Sequence, residues 1–339
     1  MRILVLGCSG YIGSRILESL KATPWAFPVG ASRRRDKVGL TGVEFIQINT
    51  LDVTGLTAAL RGFDAVINCV AGDERSISEG ARVLVTAALA AKCLRIIHFS
   101  TMSVYGRAEG LVTEGISQDF SLGWYGRAKC EAETHMQEFT RKGGAVVILR
   151  PGCVWGPGSE LWVGRVGRWL QAGRLGDLGV AGDGWSNLVH VDDVCRAALS
   201  SLQLPAKLGQ LQIFNLSAPD SPRWNDYFVD FSLQVKLTPV RRIGWRQLHF
   251  DAFVMSPLLK IAQIGLKKIN PTNISLPNPM SPGLTRLWEQ HIRLDSTAAT
   301  QKLEVVWTPY LASLTSSANW FLKHTELNAP LPHKQVGVH

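Results

Sequence analysis

Gly7, Gly10 and Gly13 follow directly on the apolar run Ile3-Leu-Val-Leu6, and no other stretch constrains the fold of this chain as strongly. Tyr11 to Leu20 then carries a helix-like pattern, so the spacing predicts a strand, a glycine turn and a helix. Glycines in such a turn let the chain bend sharply, let a pyrophosphate approach the backbone and seat the helix close to the sheet. Three of them after an N-terminal strand make a dinucleotide-binding signal, with Tyr11 and Ile12 inside the same loop.

Further strands are expected near Phe27 to Ser32, Val43 to Ile48, Ala65 to Val70, Arg95 to Ser100 and Ala145 to Arg150, mostly separated by helical stretches such as Ser78 to Lys92. Alternation of this kind implies an α/β fold with a doubly wound parallel sheet covered on both faces. Past Arg150 the composition turns to Gly, Pro and Trp. The chain is expected to leave the sheet there and return at Leu188 to Leu202 and Gln212 to Asn215. The domain reading is therefore a nucleotide-binding domain of residues 1–150 and about 188–216, a smaller lobe of about 151–187 and 217–327, and a frayed tail of 328–339. At 339 residues and 46% hydrophobic, the chain can bury a large core.

Two further motifs carry chemistry. In Trp124-Tyr-Gly-Arg-Ala-Lys129, Tyr125 and Lys129 lie one helical turn apart. An ammonium beside a phenol favours the phenolate, so Lys129 is expected to lower the Tyr125 pKa into the range useful for proton transfer. The run His98-Phe-Ser-Thr-Met-Ser-Val-Tyr-Gly106 ends an apolar strand in hydroxyl groups, where open α/β sheets place ligand contacts. Thr101 is the candidate partner of the substrate oxygen, with Ser100 and Ser103 as second contacts and His98 as a core residue.

With these motifs the chain resembles the extended short-chain dehydrogenase/reductases, which include nucleotide-sugar epimerases and dehydratases and the dihydroflavonol and hydroxysteroid reductases. The likeness covers Gly7/Gly10/Gly13, the Ser-Thr-x-x-Val-Tyr-Gly run from Ser100, Tyr125/Lys129, Leu149-Arg-Pro-Gly-Cys-Val-Trp-Gly-Pro157, Leu188-Val-His-Val-Asp-Asp-Val194 and Leu294 to Leu303 followed by Trp307-Thr-Pro309. It implies a Rossmann-type enzyme, in which Asp52 contacts adenine, Val70 and Ala71 lie against ribose, and Pro151, Gly152 and Val154 lie against nicotinamide. The catalytic set would be Thr101, Tyr125 and Lys129, with Lys129 also holding the cofactor ribose. A homodimer is what the family suggests. Asp192 and Asp193 read as helix N-caps.

The loop after the second strand chooses the cofactor. Enzymes that use NAD place an acidic side chain there, whereas this chain has Ser32-Arg33-Arg34, which suits the 2′-phosphate of NADP(H) and leaves NAD(H) second. Asp36, close by, is the one residue pointing the other way.

Departures from the family narrow the chemistry. Met102 and Ser103 stand where nucleotide-sugar dehydratases carry an Asp-Glu pair, so elimination of water is set aside. Cys153 replaces the asparagine that meets a sugar diphosphate, and Trp155 replaces a tyrosine. The helix after Ala71 lacks the asparagine that often relays protons to solvent.

Trp155, Trp162, Trp169 and Trp185 crowd the region expected to line the pocket, and Trp155, Trp162 and Trp185 with Ser103 are the candidate substrate contacts. The net charge of +9 fits phosphate-bearing ligands, and no nucleic-acid motif accompanies it. Phe253 to Lys268 reads as ordinary packing ahead of an amphipathic lid or an interfacial helix, and membrane contact is not expected. Scattered cysteines give no metal site. Met1 leads straight into a strand, which argues for a cytoplasmic protein. The expected function is an NADPH-dependent reductase of a ketone or aldehyde on a mainly apolar small metabolite, free or bound to a carrier or coenzyme. The rivals are a nucleotide-sugar epimerase or 4-ketoreductase, and a non-catalytic NADP sensor, which would have no need of a tuned phenol.

Overall fold

The computed structural model describes residues 1–34, 42–121, 123–269 and 277–326. Two compact units form: one from Met1–Val154, Asp183–Trp224 and Arg286–Tyr310, the other from Trp155–Gly182, Asn225–Thr285 and the chain from Leu311 onward. Arg286–Tyr310 thus belongs to the first unit, although its sequence position suggests the second lobe. The reason is local. Ile292–Leu294 pairs in parallel with Gly110–Val112, and Asn187 fixes this strand by donating to Ile292 O (2.8 Å) and accepting from Leu294 N (2.8 Å).

The first unit is built on β1 (Arg2–Leu6), α1 (Tyr11–Lys21), β2 (Phe27–Ser32), β3 (Glu44–Gln47), α2 (Val53–Leu60), β4 (Ala65–Asn68), α3 (Glu74–Ala91), β5 (Arg95–Phe99), β6 (Gly110–Val112), α4 (Gly123–Arg141), β7 (Ala145–Pro151), β8 (Cys153–Trp155, ending in the second unit), then β9 (Leu188–His190), α6 (Val191–Gln203) and β10 (Leu211–Leu216); α5 (Arg165–Gln171) lies between, in the second unit. The seven-stranded sheet runs β10-β7-β5-β4-β1-β2-β3, with every pair parallel. Within β1 the side chains alternate: Ile3 and Val5 join the core cluster containing Leu17, Val194 and Leu216, whereas Leu4 and Leu6 join that containing Leu56, Leu84 and Met136. Both faces are therefore buried, as a parallel sheet requires. This is the doubly wound α/β fold expected from the glycine turn and the βα alternation.

Later elements are α7 (Trp224–Gln234), α8 (Trp245–Phe250), α9 (Ser256–Ile269), α10 (Pro282–Glu289), β11 (Ile292–Leu294), α11 (Thr297–Lys302) and α12 (Tyr310–Glu326). Among the described residues no helix is long and apolar enough to cross a membrane. Phe253 to Lys268 packs on one side only: Ser256 is buried and Leu259 half-buried, whereas Phe253, Val254, Leu258, Ile261 and Ile264 are exposed. The tail of 328–339 lies outside the described residues.

Candidate active site

The turn between β1 and α1 has the geometry its glycines require. Gly7 has φ +78°, and a Cβ there would meet the Cys69 backbone at 2.9 Å. Gly13 is pressed against the same turn, where a Cβ would meet Gly7 O at 2.4 Å. At Gly10 an added Cβ would stand 3.3 Å from Gly7 O, a tight contact with backbone, so packing within the turn already favours glycine there. No side chain caps α1 at Gly10, which leaves the positive end of the helix to an anion.

Beside this turn lies a hollow of about 230 Å³ whose walls include Gly7, Gly10, Ser32, Arg33, Arg34, Val70 and Ala71, together with Ile48 and Thr50, which sequence reasoning missed. The residues fit a dinucleotide: glycines of the turn and two arginines line the same hollow. Two expectations need correction. The Ser32 hydroxyl donates to Arg34 O (2.7 Å) and accepts from Arg34 N (3.3 Å), so it shapes the loop and is not a free phosphate donor. Asp52 does not line the hollow. It caps α2, accepting from Gly55 N at 3.1 Å. Tyr11, Ile12 and Val154 are partly buried, each with part of its side chain packed against the hydrophobic core. Asp36 lies outside the described residues.

Pro151 ends β7 opposite Leu216. Gly152 follows, and a Cβ there would strike Asn187 O at 2.1 Å, which accounts for the glycine without a nicotinamide.

The candidate catalytic groups come from two elements. Thr101 follows β5 and accepts from Ser103 N (3.3 Å) while its hydroxyl reaches Ser103 Oγ (3.3 Å). Tyr125 and Lys129 project from α4, which approaches closely because Gly126 packs where a Cβ would stand 3.0 Å from Ser103 O. The Thr101 side chain lies close enough to the Tyr125 phenol to favour its ionised form. Lys129 is buried and donates to Phe99 O at 2.7 Å and to Val70 O at 3.5 Å, the carboxyl ends of two sheet strands.

The electrostatics differ from the sequence expectation. Tyr125 keeps 37% of its surface exposed, yet desolvation pushes its phenol above the usual tyrosine range, opposed only by the nearby Thr101 side chain. Lys129, turned toward main-chain oxygens, does not depress it. Desolvation instead lowers Lys129 itself to about 8, against attraction from Cys69 and Glu133. Tyr125 is thus a neutral acid at neutral pH.

Under these groups lies a polar network that sequence reasoning did not single out. Glu133, fully buried, accepts from Arg150 Nε (2.9 Å) and Nη2 (2.6 Å), from Gln118 Nε2 (2.5 Å) and from Ser100 Oγ. Arg150 also donates to the Tyr105 hydroxyl (2.9 Å), which donates to Asn215 Oδ1 (2.6 Å). Ser100 therefore faces Glu133 and is not a substrate contact. The signal was available: Glu133 lies four residues beyond Lys129 on the same helix. His98 is a buried core residue, as expected. Its Nδ1 meets Asn68 Nδ2 at 3.1 Å, and desolvation keeps it neutral.

The tryptophans separate. Trp155 is buried in the second unit, edge-on to Tyr227 with ring centroids 5.3 Å apart, and the Trp162 carbonyl accepts from Tyr227. Trp155 is therefore a packing residue. Trp185, in the first unit, borders another hollow of about 400 Å³ whose walls include none of Thr101, Tyr125 and Lys129. Arg223 and Arg293 lie over its ring at 4.8 and 4.6 Å. The N-cap expectation for Asp192 and Asp193 also changes. His190 caps α6, and buried Asp193 accepts from Thr308 N (3.1 Å) and Thr308 Oγ1 (2.6 Å), tying the helix to the Trp307-Thr-Pro309 segment.

A family model described as the NAD dependent epimerase/dehydratase family matches residues 3–217. The chain belongs to this family of nicotinamide-dependent enzymes. A 2-alkyl-3-oxoalkanoate reductase of Stenotrophomonas maltophilia is 30% identical over 59% of this chain, a match spanning 64% of that enzyme's length. Protein YeeZ of Escherichia coli is 30% identical over 70% of this chain and 85% of its own. A UDP-glucuronic acid 4-epimerase from Bacillus cereus, solved with UDP-glucuronic acid and NAD, shares the fold with a TM-score of 0.72 at 18% identity, covering 96% of this chain and all of its own.

Proposed function

We propose that the protein is an NADP(H)-dependent oxidoreductase that reduces a ketone or aldehyde, or oxidises the alcohol, of a mainly apolar small metabolite. The observation that carries this reading is the convergence of Thr101, just after β5, with Tyr125 and buried Lys129 on α4, where Gly126 packs against Ser103 O and Lys129 donates to Phe99 O. When bound, the nicotinamide supplies or accepts the hydride. As a carbonyl carbon is reduced its oxygen gains charge, and the neutral Tyr125 phenol gives that oxygen a proton while Thr101 orients it. Lys129, fixed at the strand ends, holds the ribose hydroxyls. Gly7, Gly10 and the first turn of α1 take the pyrophosphate, and Arg33 and Arg34 take the 2′-phosphate.

Preference for NADP rests on those two arginines alone, since the solved relative carries NAD. The name of the bacterial oxoalkanoate reductase supports an apolar oxo substrate. A second reading, nucleotide-sugar epimerase or 4-ketoreductase, is favoured by the likeness to the UDP-glucuronic acid epimerase. Against it, the position that meets the sugar diphosphate holds Cys153, a buried thiol. Competition with UDP and TDP separates the two: neither displaces substrate from an apolar ketone reductase, and tight UDP binding would replace the first reading by the second.

A further inference from the structure

The second unit carries a surface that dinucleotide chemistry does not use. From Trp245 to Ile269 the chain is helical throughout, α8 and α9 being joined by a wider turn at Asp251–Met255. Its two sides differ. Ala252 and Ser256 are buried, Leu259 and Gln263 partly so, at the three- and four-residue steps of an inward face. Ser256 accepts from Met280 N at 2.6 Å, and Gln263 donates to Pro277 O at 3.3 Å, so this face is anchored.

The outward face is apolar. Phe250 (56%), Phe253 (54%), Leu258 (56%), Ile261 (67%) and Ile264 (62%) stand open, and Trp245, His249 and Phe253 form a ladder with ring centroids 3.9 and 5.2 Å apart. An exposed apolar row of this extent marks an interaction surface. Charge indicates the partner. Between Trp245 and Ile269 the sequence contains Arg246, Lys260, Lys267 and Lys268 and one acidic residue, Asp251. That carboxylate is turned inward and bound by Arg174, with Nε at 2.8 Å from Oδ2, and the exposed charged side chains described on this stretch, Arg246 and Lys260, are both cationic. A second copy would bring the same cations against themselves, in a chain whose net charge is +9.

We infer that this face docks on a lipid bilayer with anionic headgroups: the leucine and isoleucine row enters the acyl boundary, Trp245 and Phe253 sit at headgroup level, and Lys260 and Arg246 meet the phosphates. A helix with an apolar stripe, flanking aromatics and lysines lies in the plane of such an interface. Docking requires no turnover, so its success or failure is independent of the proposed reaction.

The test is flotation of the full chain with phosphatidylcholine vesicles, with and without phosphatidylglycerol. The protein is expected to float with the anionic vesicles and to be released by salt. Phe253→Glu with Ile261→Glu should lower partitioning about tenfold or more, and Lys260→Gln about fivefold on anionic vesicles only. Lys260 is exposed, so its replacement keeps the test open if the double variant fails to fold. Failure to float would overturn the inference, as would flotation indifferent to all three substitutions. Self-association abolished by Ile261→Glu, without flotation, would assign the face to a second copy instead.

Discussion

Arg150 on β7 grips Glu133 on α4 through two parallel hydrogen bonds, Nε to Oε1 and Nη2 to Oε2, with both side chains at most 3% exposed. The pair sits directly behind the candidate catalytic residues, because Glu133 also holds Ser100, the neighbour of Thr101. Burial alone would lower the Arg150 pKa, and the Glu133 carboxylate outweighs that and holds it above the usual arginine range. Glu133→Gln would leave a buried guanidinium without its counter-charge and should cost about 3–5 kcal/mol. Denaturant unfolding measures this, and a loss below about 1 kcal/mol would contradict the pairing. Arg150→Met should cost a similar amount, with the double variant well below the sum.

Removing the phenol oxygen alone separates chemistry from binding. Tyr125→Phe should lower kcat by about 100-fold to 10,000-fold, the usual worth of a positioned general acid. Affinity for NADPH, followed by tryptophan fluorescence, should stay within about threefold. A large loss of dinucleotide affinity would show that Tyr125 is a binding residue.

Lys129 gives a pH dependence with a definite sign. Its pKa is about 8 in the folded chain and 10.5 for an ordinary lysine. Below pH 8 both the folded and unfolded chains hold the proton, and the burial cost is carried in full. Between the two values the unfolded chain binds more protons, so stability rises with pH there. Relative to Lys129→Met, the native protein should gain stability as pH climbs from about 8 to 10.5. Urea midpoints across that interval check this, and a constant difference would mean that Lys129 is not desolvated.

Cofactor choice rests on a loop. Replacing Arg33 and Arg34 together by alanine should weaken NADPH binding by about 10-fold to 100-fold, on the scale of charged hydrogen bonds, and leave NADH nearly unchanged. Equal loss for both dinucleotides would remove the arginines from phosphate recognition.

Much of the fold was legible because its signals are local: a glycine that must bend at Gly7, strands whose faces are both apolar, a tyrosine and a lysine one turn apart. What the sequence obscured depended on where side chains turn in three dimensions. Ser32 and Asp52 have the chemistry to bind a ligand, but each closes a hydrogen bond with nearby backbone. Trp155 looks like a pocket wall and is core. Tyr125 and Lys129 share a helical face as expected, yet Lys129 is pulled to the strand ends, so burial and not the ammonium sets the phenol. Exposure of Ile261 and its neighbours could not be read from an apolar pattern that suits packing equally well.

The most direct measurement is NADPH consumption, followed by absorbance, with a panel of medium-chain ketones and 3-oxo acids, for the native protein and for Tyr125→Phe. Steady loss of NADPH with at least one apolar oxo compound, abolished in the variant, is the predicted result. Interconversion of UDP-sugars with no net consumption of dinucleotide would contradict it and make the chain an epimerase.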